Sequence, residues 1–293
     1  MVVRIFLSYL TFFEFFFGFF LKDKNNYNTA CCLICILLMV LMFEYNTDKL
    51  MVKPLFSIAG LATQLVILDK QSDPPVGVLL DVGDGTCRDI LDNHLDFTWF
   101  NHIIISHGHY DHMGGLYSFL GVKRMLGDNQ TITIMYPAKC VEVENVIKTL
   151  QDNYSDSTPY EIKLIPVSTS DISEHKIHDQ ISIKSFPVLH RGSTLTPGVL
   201  PLIPACGYQV HLLSHNLKIA FSGDTAPTPI LYDLFSSDVD IGFIENTHPD
   251  DSWVKDKVNR FHLTEAEARE FSKNCKQTIL IHSLPPHILK NSS

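Results

Sequence analysis

From Leu55 onward the chain predicts an α/β fold, on three observations. Short runs rich in β-branched and aromatic residues alternate with segments of helical composition. No internal repeat or low-complexity linker interrupts the alternation. Several of the apolar runs end on a histidine or a carboxylate, where an α/β scaffold presents its functional groups.

Taken in order, Leu61–Leu68 and Gly77–Val82 read as consecutive strands joined through the Ser72-Asp73-Pro74-Pro75 turn. Asp84-Gly85 opens a helix through Leu91, and Ile103–Ile105 is a short strand. Gly114-Gly115 lets a helix over Leu116–Leu120 approach the preceding loop closely. Thr131–Tyr136 is strand-like, and Pro137–Leu150 reads as a helix entered through a proline. Ile181–Val188, Tyr208–Leu213, Lys218–Phe221, Ile241–Ile244 and Thr278–Ile281 complete the strands. Thr264 and Glu265 fall in the first turn of a helix that begins near His262.

At 293 residues with 45% hydrophobic content the chain has enough apolar material for a buried core. Its formal net charge of -9 is the wrong sign for nucleic-acid binding through a broad basic face. The 7 cysteines have neither the pairing of a disulfide framework nor the spacing of a zinc ribbon, which points to a reducing compartment. Cys31, Cys32 and Cys35 lie in an apolar run and read as packing residues.

Residues 1–50 differ in kind. Ile5–Leu21 is dominated by Phe, Leu and Ile and approaches the length that spans a bilayer; a second, shorter apolar run covers Ala30–Phe43. A membrane anchor, a signal segment without a clean cleavage site, and an upstream extension ahead of a true start at Met51 are the competing readings of this segment. The folded domain is expected over 51–293, cytoplasmic, and membrane-anchored if residues 1–50 are genuine.

The strongest signal directly follows Ile103–Ile105. His107-Gly108-His109-Tyr110-Asp111-His112 is an H-x-H-x-D-H cluster. A tight loop leaving a strand can aim His107 and His109 one way and Asp111 and His112 at a second point. Four such groups exceed what one tetrahedral zinc takes from a single loop, so the spacing suggests two metals completed by distant residues. A His-rich turn that binds nothing is the bland alternative, and close packing of imidazoles with a carboxylate argues against it.

Partners for the cluster stand at later strand ends: His190 in Phe186-Pro187-Val188-Leu189-His190, Asp224 in Ser222-Gly223-Asp224-Thr225, and His282 in Ile279-Leu280-Ile281-His282. This series, with His262-Leu263-Thr264, resembles the metallo-β-lactamase superfamily, and within it the ribonuclease Z (tRNA 3′-endonuclease) branch, over about Leu55 to Pro286. The resemblance implies an αββα sandwich, two mixed β-sheets flanked by helices. It implies one metal on His107, His109 and His190, a second on Asp111, His112 and His282, and Asp224 bridging both. Imidazoles suit zinc and a bridging carboxylate offsets charge between two dications, so two Zn2+ are expected, with Mn2+ or Fe2+ as alternatives.

In that branch a histidine placed like His262 supports the leaving oxygen and an acidic residue placed like Glu245 orients it. With Asp111 these are the expected catalytic residues, and Arg191, beside a ligand, is the candidate for binding substrate phosphate. The bland reading of His262 is a residue at a helix start, and of Glu245 a solvated strand end. His94, His102, His175, His178, His211, His215, His248 and His287 are assigned no role; His175, His178, His211, His215 and His248 read as loop residues.

The activity implied is hydrolysis of a phosphodiester, including RNA and tRNA 3′-end processing, and the branch commonly dimerises. Two departures narrow this. The interval from His190 to Asp224 is too short for the tRNA-gripping arm of the bacterial enzymes and Gly192–Pro204 carries no basic cluster. The segment after His282, Ser-Leu-Pro-Pro-His, lacks the arginine that often follows in the branch. A hydrolase of a small cyclic phosphodiester, thioester or lactone is therefore the competing expectation, and a non-catalytic metal-binding member the third. A thiolesterase of the glyoxalase II kind carries a C-terminal helical domain, and a β-lactamase lacks the His262 context.

Overall fold

Every residue of Ala62–Asp69 is buried, on both faces of the strand, and this strand shows how the layers are built. Leu65 and Ile67 point into a cluster shared with a second sheet, whereas Val66 and Leu68 point into a cluster shared with helices. The computed structural model describes residues 43–192, 198, 200–251, 254 and 259–284.

The first sheet has seven strands whose spatial order is their chain order: β1 (Tyr45–Asn46), β2 (Leu50–Ile58), β3 (Ala62–Asp69), β4 (Val76–Leu80), β5 (Phe100–Ile104), β6 (Ile132–Pro137) and β7 (Ile162–Val167). Pairing is antiparallel from β1 to β4 and parallel from β4 to β7. After β8 (Ser173–His178) and β9 (Ile181–Pro187) comes a two-residue ladder, β10 (His190–Arg191) with β11 (Leu202–Ile203). Then follow β12 (Cys206–Leu212), β13 (Leu217–Phe221), β14 (Ile241–Glu245) and β15 (Gln277–Ile281). The second sheet runs β15-β14-β13-β12-β9-β8, and it too is mixed, with β13, β14 and β15 parallel.

Between the sheets, Val52, Val78 and Ile104 meet Tyr208, Phe221 and Phe243. Outside the first sheet pack α1 (Thr86–Asp92), α3 (Leu116–Met125) and α4 (Val141–Tyr154), through Ile90, Phe119 and Ile147; α2 (Tyr110–Met113) follows the histidine loop. Outside the second sheet pack α5 (Ile230–Leu234) and α6 (Glu265–Phe271), through Leu231, Leu234 and Ala268. The order helix, sheet, sheet, helix is the expected αββα sandwich, because each sheet buries two apolar faces against different partners.

The structure corrects several element boundaries. Pro137 ends β6 instead of opening a helix, because its ladder with β7 continues to Val167; the helix starts at Val141. His175 and His178 belong to β8, a polar edge strand, and His211 to β12. β2 begins at Leu50, and β1 pairs with it, Tyr45 opposite Val52; Phe43 lies edge-on to Phe243 at 5.5 Å. Residues 1–42, including the two apolar runs up to that point and Cys31, Cys32 and Cys35, lie outside the described residues, as does His287. Among the described residues no helix is long and apolar enough to cross a membrane, and Cys87, Cys140, Cys206 and Cys275 are free thiols.

The two sheets are tied together where their parallel strands end. Cys206 N donates to Ser106 O at 2.9 Å, and Tyr208 OH donates to Ile105 O at 2.8 Å. Asp81, Ser106, Asp224, Glu245 and His282 all stand just beyond or at those strand ends.

Candidate metal centre

The loop after β5 is held open at the junction of the sheets by small residues. A Cβ at Gly115 would collide with the Gly83 carbonyl, so only glycine lets α3 start this close to the loop. Gly223, at φ 57, turns the chain after β13 and passes against Ser106, which brings Asp224 over the histidines. His282 follows β15 at φ 55, a left-handed conformation that non-glycine residues adopt rarely and mostly where the surroundings enforce it.

These turns bring the seven expected ligand residues together. Potential ligand atoms of His107, His109, His190 and Asp224 lie within 4.8 Å of one another, and those of Asp111, His112 and His282 form a second such group. Asp224 connects the two: its Oδ2 is 3.9 Å from His107 Nε2 and 3.8 Å from His190 Nε2, and its Oδ1 is 3.3 Å from His112 Nε2. All except His109 are buried, and Asp111 Oδ2 accepts from Gly60 N at 2.9 Å.

The nitrogens sort into two sets. His112 Nδ1 lies 2.6 Å from Asp81 Oδ2, His190 Nδ1 3.0 Å from Phe261 O, His107 Nδ1 3.0 Å from Ser106 Oγ, and His282 Nδ1 2.9 Å from Thr247 Oγ1. The opposite nitrogens face one another: His109 Nδ1 is 3.2 Å from His190 Nε2, and His112 Nε2 is 3.2 Å from His282 Nε2. Buried His107 Nε2 and Asp224 Oδ1 have no hydrogen-bond partner among the described residues. Facing imidazole nitrogens and orphaned buried polar atoms are costly unless a cation lies between them, so the donor set fits divalent metal.

Charge supports the same assignment. Burial, reinforced by neighbouring imidazoles, holds His107 well below the usual histidine range, and burial takes His190 down to about 3 and His109 downward, so their lone pairs are free. Burial alone would raise the carboxyl of Asp224, but His112 and His282 hold it well below the usual range. Burial likewise opposes ionisation of Asp111, but the His282 hydrogen bond and His112 bring it to about 2. His112 differs: against the cost of burial, Asp224 and Asp81 hold it well above the histidine range, so a proton there takes the place that a cation between these groups would fill.

Beside the cluster stands a second pair. Glu245, at the end of β14, is fully buried and its Oε1 is 3.0 Å from His262 Nδ1. Both carboxylate oxygens are otherwise occupied: Oε1 accepts from Thr225 N at 3.0 Å, Oε2 from Thr247 N at 3.0 Å and Thr247 Oγ1 at 2.9 Å. His262 Nδ1 is also 3.9 Å from Asp224 Oδ2. Burial disfavours the imidazolium, but Glu245 outweighs it and raises His262 above its ordinary pKa.

Arg191 is not brought into the cluster. As the strand neighbour of His190 it points to the other side, donates from Nη1 to Leu200 O at 2.7 Å, and lines a cavity of about 620 Å³ with Leu189, Pro227 and Arg260. His248 is a loop residue, its backbone bonded to Leu263 and Glu265. Asp81 and Thr247, which orient His112 and His282, were missed in the sequence. Asp81 carried the same signal as the ligands, a carboxylate closing an apolar run, and was absorbed into the strand Gly77–Val82.

Two mixed sheets in an αββα sandwich with a histidine–carboxylate cluster at their joined edge define the metallo-β-lactamase class. The family profile of the beta-lactamase superfamily domain matches residues 87–283, and the chain belongs to that superfamily. Ribonuclease Z of Parabacteroides distasonis is 32% identical over 133 residues, 44% of this chain and 38% of the relative. The chain thus spans less than two-fifths of the length of the ribonuclease Z proteins it matches in this way. Ribonuclease BN of Proteus mirabilis is 27% identical over 256 residues, 74% of this chain and 82% of that protein. The short form of human tRNase Z superposes with a TM-score of 0.63 at 21% identity, covering 81% of this chain and 93% of that one, a likeness of fold.

Proposed function

We propose that the chain is a dinuclear metal-dependent phosphodiesterase of ribonuclease Z type. His107, His109 and His190 would hold one ion, Asp111, His112 and His282 the other, with Asp224 shared. The imidazole-rich set suits Zn2+, and Mn2+ or Fe2+ could take the same ligands. When bound, such a pair of cations lowers the pKa of a water nucleophile and neutralises charge on the phosphoryl oxygens.

The observation that carries the reading is the His262–Glu245 pair, 3.0 Å apart beside Asp224. The alcohol of a phosphodiester leaves as an alkoxide and needs a proton, whereas the thiolate of a thioester leaves without one. Glu245 shifts His262 toward its protonated form and fixes its Nδ1, so Nε2 is the nitrogen that meets the leaving oxygen. Asp111 would complete the second ion's ligands, and it receives the Gly60 amide, which holds the loop in place. Relatives named ribonuclease Z and ribonuclease BN support RNA as the substrate class, and tRNA 3′ processing is the specific form we propose within it.

One observation favours a second reading, a compact phosphodiesterase of smaller substrates. His190 and Asp224 are linked through the β10–β11 ladder and the β12–β13 hairpin, which leaves little chain for a substrate-gripping arm. Comparing cleavage of bis(p-nitrophenyl) phosphate, a cyclic nucleotide, a precursor tRNA and a thioester separates these readings. Metal analysis should find close to two divalent ions per chain; one or none would sink the dinuclear reading, and thioester turnover without diester cleavage would sink the phosphodiesterase one.

A further inference from the structure

We propose that Arg260 is a positioning residue for His262, which rests on reading His262 as the proton donor. His262 is carried on the segment Arg260–Thr264, which leads into α6 and is fastened to three different elements. On one side Phe261 O accepts from His190 Nδ1 at 3.0 Å, so a ligand residue of the cluster holds the backbone next to His262. On the other, Leu263 O accepts from His248 N, and Glu265 N donates to His248 O, both at 3.0 Å.

The carbonyl of His262 itself is taken by Arg260, whose Nη2 donates to it at 3.1 Å. The same guanidinium grips Glu267: Nη1 donates to Oε1 at 2.7 Å, and Nη2 pairs with Oε2. Glu267 is also the third residue of α6 and closes its capping box, its Oε2 accepting from Thr264 N at 2.9 Å and from Thr264 Oγ1 at 3.0 Å. One carboxylate therefore fixes the start of the helix and the arginine that holds the His262 peptide.

A planar fork meets both carboxylate oxygens and the carbonyl from fixed directions, whereas a lysine ammonium meets them from a single, rotatable point. The capping box alone would start α6, so the bond to His262 O is an addition whose effect falls on the imidazole. A donor misplaced by about 1 Å can cost on the order of 100-fold in rate. Because the bond acts on the proton donor, its loss should be felt only where the leaving group needs a proton.

The test compares two diesters in the metal-loaded chain. The p-nitrophenolate of bis(p-nitrophenyl) phosphate departs unprotonated, whereas the alkoxide of a short single-stranded RNA does not. Arg260→Ala should lower kcat on RNA by about 10- to 100-fold and leave the nitrophenyl diester within about 3-fold, with metal content unchanged. Arg260→Lys should restore part of the RNA rate, Glu267→Gln should give a smaller split of the same sign, and Arg260→Ala with His262→Ala should be no worse than His262→Ala alone.

Equal losses on both diesters, or no loss on either, would overturn the positioning role if His262→Ala does show the split. A His262→Ala variant without the split, or an unaltered chain that leaves RNA intact, removes the proton-donor reading and the proposal with it.

Discussion

Asp81 Oδ2 lies 2.6 Å from His112 Nδ1, and both groups are shut off from solvent. The carboxylate is held in turn by Ser106, whose amide and hydroxyl donate to it at 2.6 and 2.7 Å. A carboxylate behind a ligating imidazole fixes the tautomer, turns Nε2 toward the metal and raises its basicity.

Asp81→Asn should therefore weaken metal binding by about 10- to 100-fold without unfolding the chain. Asp81 sits at φ 58, a conformation asparagine tolerates, and an amide keeps an acceptor for Ser106. Competition with a chromogenic chelator measures the affinity; unchanged binding would show that Asp81 only packs.

Glu245→Gln removes the charge behind His262. The amide keeps an acceptor for only one of Thr225 N and Thr247 N, which bond different carboxylate oxygens, and it no longer raises His262 above its ordinary pKa. RNA cleavage should fall by about 10- to 100-fold while metal content holds. Loss of metal instead would mean that His262 belongs with Asp224 and His282 as a ligand group, an arrangement their proximity also permits.

The ligand cluster was legible because four members share one loop motif and the other three each follow an apolar run, and strand-end placement survives any error in strand boundaries. His190, Asp224 and His282 could be found this way although they lie far apart in the chain. The supports were harder to see. Arg260 and Glu267 meet only once the segment before α6 is folded, and nothing in their spacing marks a pair. β8 escaped because Ser-Glu-His-Lys-Ile-His has the polar composition of a loop; it is an edge strand paired on one side only. Pro137 misled because proline suits a helix start as well as a strand end.

Away from the site, Lys123 has a fully buried side chain that pairs with Asp128, and its Nζ also donates to Phe97 O at 3.1 Å and Asn101 Oδ1 at 2.6 Å. Burial lowers its pKa against the pull of Asp128. Asp128→Ala should destabilise the fold by about 3 kcal/mol, because it strands a buried ammonium. Lys123→Met should cost less, since Asp128 lies closer to solvent. Urea unfolding of both variants decides; equal costs would mean that the pair contributes through packing alone.

Acid stability should depend on His102. It lies on β5, its ring centroid 5.9 Å from that of His178 on β8, and its Nδ1 is buried without a partner among the described residues. Burial, with smaller contributions from His178 and Lys163, lowers it to about 4, against 6.5 for an ordinary histidine. Between those values the unfolded chain binds the proton and the folded chain does not, so stability rises with pH across this window. The contribution is intact above pH 6.5 and is lost progressively as the pH falls toward about 4, a total of about 3 kcal/mol. His102→Gln should flatten the slope of unfolding free energy in this window and leave its value at neutral pH less affected. Urea titrations of both chains across the window measure the difference, and parallel slopes would show that other groups carry the acid sensitivity.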